Sequence, residues 1–157
     1  MHEKIIVDSI CDLTDEMIRE MDARIVPLTF RMGDEEHVDT WESDMLQTLR
    51  GAGKRRVTTS CPSPDQYRTA FLEAGESYAV TVSSKLSGSY ASACLGAQMA
   101  AEEGAYAHVF DSKSASPGEV LLALLIDKLI RLKTERAALI ETVERFAREM
   151  KTFFVLE

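Results

Sequence analysis

Residues 77–90 read SYAVTVSSKLSGSY. Ser77 to Val82 fit a buried strand, since the five residues after Ser77 are apolar, aromatic or β-branched. The next seven change character: Ser83-Ser84-Lys85-Leu86-Ser87-Gly88-Ser89 gathers four hydroxyls and a glycine around one basic residue. Beyond them Ala91, Ala93, Gly96, Ala97, Ala100 and Ala101 begin a helix over Ser87–Glu103 that can lie close on a sheet. A strand, a hydroxyl loop and a helix in immediate succession make the repeating unit of a parallel α/β fold.

The same unit recurs on either side. Lys4 to Val7 is a buried-strand candidate that ends at Asp8-Ser9, and Thr14-Asp15-Glu16 then opens a helix with a hydroxyl cap and two acids at its positive end. Arg24 to Phe30, RIVPLTF, reads as one further strand, made irregular by Pro27. Arg31 to Glu35 reads as a turn, Thr40 to Leu49 as a helix, and Gly51 to Arg56 as a loop. Val57 leads into Thr58-Thr59-Ser60-Cys61, and Ser63-Pro64-Asp65 is a strong helix start running to about Leu72. Tyr106 to Phe110 is a strand ending at Asp111-Ser112-Lys113-Ser114. Ser116-Pro117-Gly118-Glu119 starts a helix to about Leu132, Thr134 opens another through Met150, and Thr152 to Leu156 closes as a strand. Alternating strands and helices predict a three-layer α/β domain, a mostly parallel sheet flanked by helices, with right-handed crossovers.

Composition narrows the function. The chain has 157 residues and a net charge of −8, which suits one domain and disfavours a nucleic-acid partner. Lys54-Arg55-Arg56 is the longest basic run and reads as a solvated loop. Cys11, Cys61 and Cys94 are odd in number and scattered, and the start of the chain lacks a signal-peptide pattern, so the expected compartment is the cytoplasm, without membrane insertion. His2, His37 and His108 have no ligand-like spacing, so no metal is expected.

In a parallel sheet the loops after each strand share one edge, and ligands of open α/β sheets bind there. Helix N-termini on that edge present free N–H groups to an anion. Hydroxyls in the four loops Asp8-Ser9, Thr58 to Cys61, Ser83 to Ser89 and Asp111 to Ser116 add neutral donors, and Gly88 allows a close backbone approach. The predicted guest is a small anionic headgroup, a carboxylate or phosphate. Two or three such hydrogen bonds supply only a few kcal/mol, so tight binding requires an apolar tail at about 0.8 kcal/mol per methylene. Ordinary capping and turn formation is the competing use for any one of these hydroxyls. Two further readings stand beside ligand binding. Asp8 at a strand end could serve a small-molecule phosphotransferase or phosphatase as nucleophile, although Asp8-Ser9-Ile10-Cys11-Asp12 sets the second acid two places late for that motif. The chain could also be a truncated homologue acting through protein contacts alone.

Several of these stretches resemble the N-terminal domain of the DegV family of bacterial fatty-acid-binding proteins. IIVDSICDLT (Ile5 to Thr14), IVPLTF (Ile25 to Phe30), TTSCPSP (Thr58 to Pro64), SSKLSGSYASA (Ser83 to Ala93) and DSKSASPG (Asp111 to Gly118) carry the likeness, which continues through the final FFVLE. The resemblance implies binding of a long-chain fatty acid such as palmitate in a tunnel between two domains. It places the carboxylate on Thr59 and Ser87, with Ser60, Gly88 and Ser89 nearby and Asp8 and Ser9 shaping the floor. It implies no catalytic residue, no cofactor beyond the bound lipid, and an ATP-dependent fatty acid kinase subunit as partner. The protein would then be a carrier in fatty acid metabolism and lipid transport, not an enzyme. Residues 1–157 correspond to the N-terminal α/β domain alone; the family's second domain, which supplies part of the tunnel wall, has no counterpart in this sequence. Cys61 stands where the family has glutamine.

Overall fold

The computed structural model describes residues 3–40, 50–51, 53, 56–153 and 155. Its main sheet has four parallel strands in the order β2-β1-β6-β7. These are β1 (Lys4–Asp8), β2 (Arg24–Val26), β6 (Glu76–Thr81) and β7 (Tyr106–Asp111). The central pair is in register from Lys4 opposite Ser77 to Val7 opposite Val80.

Alternation along these strands divides the core into two layers. Ile5, Val7, Tyr78, Val80 and Phe110 face one side, where they meet Met21, Leu122, Ala123, Ile126, Leu139 and Val143. Those partners come from α1 (Asp15–Met21), α4 (Pro117–Arg131) and α5 (Arg136–Glu149). Ile6, Val26 and Ala79 face the other side and meet Tyr67, Ala70, Phe71, Ala93 and Ala100. The second set lies on α2 (Pro64–Ala74) and α3 (Ser89–Glu102). The three-layer α/β architecture read from the sequence is therefore the one observed.

The small residues of α3 have a specific use. A Cβ at Gly96 would lie 2.7 Å from both the Pro64 carbonyl oxygen and the Tyr67 Cβ, so α3 rests directly on α2. Helix starts follow their sequence signals at three sites. Thr14 Oγ1 accepts from the Met17 N–H, Ser63 and Gln66 form a reciprocal capping box ahead of a proline-initiated helix, and at the next proline-initiated helix the Ser116 N–H donates to the Glu119 carboxylate while the Ser116 hydroxyl turns to Asp12. The last helix departs from expectation. Glu135, not Thr134, is its cap, because one Glu135 carboxylate oxygen accepts from the N–H groups of both Ala137 and Ala138.

Two larger differences concern strands. RIVPLTF is not one strand: β2 stops at Val26, and Thr29–Met32 form β3 of a separate antiparallel sheet, order β4-β3-β5. Pro27 has no N–H to continue the ladder, and the chain changes sheets there. The expected turn at Arg31 to Glu35 shrinks to Gly33-Asp34, between β3 and β4 (Glu35–Val38). Residues Val57–Ser60 are β5, antiparallel to β3 with Thr59 opposite Phe30, and not the tail of a parallel strand. The closing strand over 152–156 is absent among its described residues, and Phe153 and Val155 are exposed. The helix expected over 40–49 lies, beyond Thr40, outside the described residues, as do Lys54 and Arg55. Among the described residues no helix is long and apolar enough to cross a membrane.

Candidate functional site

The loop after β6 is built by its own hydroxyls. Ser83 donates its N–H to the Ser114 carbonyl, and its carbonyl accepts from the N–H groups of Leu86 and Ser87. Ser84 donates both its hydroxyl, at 2.6 Å, and its N–H, at 3.0 Å, to Asp111. Burial opposes ionisation of Asp111, but these donors and the Lys113 N–H prevail and hold its carboxyl below the usual range. A charged Asp111 thus ties the Ser83–Ser89 loop to the end of β7. Ser87 Oγ then accepts from the Ser89 N–H at 3.2 Å, and α3 begins without a side-chain cap at Gly88.

The antiparallel strand β5 arrives from the other side. Cys61 Sγ would lie 3.1 Å from a Cβ at Gly88, so the glycine makes room for the thiol. The Ser92 hydroxyl donates to the Pro62 carbonyl at 2.6 Å and fixes the same junction. Between the two arms lies a groove of about 640 Å³. Its polar margin is Thr59, Ser60, Cys61, Ser87 and Gly88; Ile10, Leu28, Val82, Leu86 and Ala115 make its apolar lining. Two hydroxyls that are 28 positions apart in sequence thus border one apolar groove beside the start of α3.

The remaining predicted residues are distributed around it. Ser9 does not line this groove. Its hydroxyl accepts from the Leu28 N–H at 3.0 Å and so sets the position of one apolar wall. Ser9 instead borders a neighbouring cavity of about 670 Å³, where Asp12, Asp15, Glu16 and Asp39 surround Arg19, a poor setting for an anion. Ser89 is fully buried under the groove, with its hydroxyl 3.0 Å from that of Ser87.

Asp8 is also fully buried, and its two oxygens accept from the N–H groups of Ile10 and Val82, at 3.1 and 2.9 Å. It clamps two strand ends and is not presented as a nucleophile. Burial pushes its carboxyl above the usual range, partly offset by the Val82 and Ile10 N–H groups. Beneath it sits a residue that sequence reading passed over, Glu119. This carboxyl is fully buried against Asp8, and burial followed by the charge of Asp8 pushes it up to about 9. The Ser116-x-x-Glu119 box was visible in sequence; the turn of α4 that carries Glu119 under β1 was not. Among the described residues no group of His, Cys, Asp and Glu is placed to hold a metal ion.

The model for "Uncharacterised protein, DegV family" matches residues 2–157. The chain belongs to the DegV family. A DegV domain-containing protein of Streptococcus pyogenes serotype M1 is 31% identical over 98% of this chain and 57% of its own length. A DegV-family crystal structure from Ruminococcus gnavus ATCC 29149, refined with vaccenic acid, is 34% identical with a TM-score of 0.87 over 94% of this chain and 55% of that one. The Streptococcus pneumoniae Fatty Acid Kinase (Fak) B3 protein, loaded with linoleic acid, is 30% identical with a TM-score of 0.83 over 94% and 55%. The chain thus spans 57% of the length of the curated DegV relative and about half of the solved ones.

Proposed function

We propose that this chain binds a long-chain fatty acid such as palmitate, with the Thr59 and Ser87 hydroxyls on the carboxylate. The observation that carries the reading is their convergence on one apolar groove. Ser60 and the backbone at Gly88 flank the headgroup, and the open start of α3 adds partial positive charge. The tail leaves along Ile10, Leu28, Val82 and Leu86. Leu86, 62% exposed, marks where further burial is needed. The extra length of the DegV relatives is where we assign the rest of the tail wall.

Among the described residues the margin of the groove is hydroxyl, thiol and backbone, and on this reading those neutral groups hold the headgroup. Hydrogen bonds to a charged acceptor contribute about 1.5–3 kcal/mol each. A tail buried at about 0.8 kcal/mol per methylene contributes more, and it releases the ligand when the groove opens. On this reading the protein catalyses nothing itself. It works in the cytoplasm and presents its fatty acid to an ATP-dependent kinase subunit, as the similarity to the Fak B3 protein supports. The phosphotransferase alternative finds no support in Asp8, whose oxygens are both spent on backbone N–H groups.

The test is extraction of the purified protein and mass spectrometry of any lipid, followed by palmitate binding. Thr59→Val with Ser87→Ala should weaken binding at least about 100-fold, the loss of two charge-assisted hydrogen bonds, with the circular dichroism spectrum unchanged. Unaltered affinity removes both residues from the site.

A further inference from the structure

Ser114 sits where the loop after β7 meets the loop after β6. It is almost fully buried, and its carbonyl accepts from the Ser83 N–H at 2.8 Å and from the Ser112 hydroxyl at 3.1 Å. Ser83 in turn gives its carbonyl to the N–H of Ser87, at 3.1 Å, and Ser87 borders the groove. The residue after Ser114, Ala115, lines the groove itself. The Ser114 side chain lies flat on Gly118, where a Cβ would fall 2.0 Å from its Oγ. So placed, the Ser114 hydroxyl is 3.4 Å from the Ala115 carbonyl and 2.6 Å from the hydroxyl of Thr152, which makes Thr152 the stronger partner. Thr152 belongs to the segment after α5, where Lys151 and Phe153 on either side are exposed. The loop that it holds is under strain: Lys113 and Ser116 have φ of 54° and 49°, backbone that residues other than glycine disfavour. Side-chain ties to two distant segments oppose its relaxation, Ser116 to Asp12 and Ser114 to Thr152.

We propose that Thr152 is a positioning residue for the headgroup groove: through Ser114 and Ser83 it fixes Ser87 where a carboxylate can meet its hydroxyl. The inference rests on the fatty-acid reading above. Thr152 is not one of the residues that line the groove, so it acts on the headgroup only through this relay. With the Thr152 hydroxyl in place, Ser114 keeps its carbonyl on the Ser83 N–H, and Ser83 keeps its own on the Ser87 N–H. Ser87 is then held at both ends, since its Oγ also accepts from the Ser89 N–H at 3.2 Å. Without Thr152, the Ser114 hydroxyl is left with the long contact to Ala115, and the strained loop relaxes. The Ser114 carbonyl shifts, Ser83 follows it, and Ser87 loses its alignment with Thr59 across the groove.

The experiment measures radiolabelled palmitate affinity in wild type, Thr152→Val and Thr152→Ser, and with Thr152→Val added to Ser87→Ala and to Thr59→Val. Thr152→Val keeps the shape of the side chain and removes its hydroxyl; it should weaken binding roughly three- to tenfold, the value of one hydrogen bond. Thr152→Ser keeps the hydroxyl and should bind as wild type does. In Ser87→Ala the change at Thr152 should cost less than about twofold, because the relay ends on the hydroxyl already removed, whereas in Thr59→Val it should keep its full cost. Undiminished affinity in Thr152→Val overturns the inference. So does an equal loss with and without the Ser87 hydroxyl, or a Thr152→Ser that binds no better than Thr152→Val. A ligand-free measurement separates the two levels: amide exchange at Ser83 and Ser87 should quicken roughly three- to tenfold in Thr152→Val and stay at the wild-type rate in Thr152→Ser. Unchanged exchange in Thr152→Val refutes the relay. Quickened exchange with no palmitate bound by any variant or by wild type refutes the fatty-acid reading and, with it, the role assigned to Thr152.

Discussion

Replacing Gly96 by alanine tests how closely α3 must lie on α2. The new methyl carbon would sit 2.7 Å from the Pro64 carbonyl oxygen, 2.7 Å from the Tyr67 Cβ and 3.0 Å from the Arg68 nitrogen. Non-bonded carbon contacts settle at about 3.5–4.0 Å, so the helices must part by roughly 1 Å. Two of the three contacts are backbone atoms, which cannot rotate away. That puts the cost in the upper half of the range of about 1–3 kcal/mol for overpacking. Alanine returns about 1 kcal/mol of helix propensity, so the net loss is about 1–2 kcal/mol. For a chain of this size each kcal/mol moves Tm by about 2–4 °C. Thermal unfolding followed at 222 nm should therefore shift down by roughly 2–8 °C. Because Gly88, at the start of α3, packs against Cys61, the displaced helix should also weaken palmitate binding. An unchanged or raised Tm would show that the helices are not in the contact described, and the argument from small residues would fail with it.

Other expectations are separately checkable. Glu119 is held protonated well above its ordinary value of 4.5, up to about 9, so the folded state keeps a proton that the unfolded state releases. Stability should thus fall as pH rises across that window, by up to about 1.4 kcal/mol per pH unit; urea titrations at several pH values should show a shallower fall in Glu119→Gln, and equal slopes would contradict the burial argument. Asp8→Ala strands the Ile10 and Val82 N–H groups and should cost about 2–5 kcal/mol, read from denaturant midpoints. Ser63→Ala removes a capping box and should cost about 1 kcal/mol; a loss below a few tenths would mean that the cap is not formed in solution. Cys61 is exposed whereas Cys11 is buried and Cys94 half-buried, so iodoacetamide should label Cys61 first and block palmitate, and bound palmitate should protect it; equal labelling with and without lipid would move the headgroup away from β5.

The parallel sheet was legible because each of its core strands announces itself twice, by an apolar run and by the hydroxyl or acid that ends it. Lys4–Asp8, Glu76–Thr81 and Tyr106–Asp111 all follow that pattern. The second sheet was not legible for the opposite reason. All four residues of β5 are exposed and mostly hydroxylic, so Val57–Ser60 carries no alternation to separate a strand from a loop. RIVPLTF hides a change of sheet inside one apolar run, and only Pro27 hints at it. Thr59 and Ser87 nevertheless meet at one groove, although Thr59 reaches it on an antiparallel strand and not from a loop of the parallel edge. Ser9 and Ser89 illustrate what residue type alone leaves open. Ser89 was read as lying near the headgroup and Ser9 as shaping the floor; the first lies beneath Ser87, and the second does so by holding Leu28. The Asp8–Glu119 contact depends on how α4 crosses under β1, a tertiary fact with no periodic trace.

The two arms of the groove differ in stiffness. Ser87 stands on a loop locked by Asp111 and leads into a 14-residue helix, whereas Thr59 lies on a short strand with all four side chains in solvent. Amide exchange should accordingly find one jaw fixed and the other yielding, well below the energy of global opening. Guest entry then requires only the weaker jaw to swing, and a lipid that pins it would be felt as slowed exchange along Val57–Ser60 long before any change reaches the parallel strands.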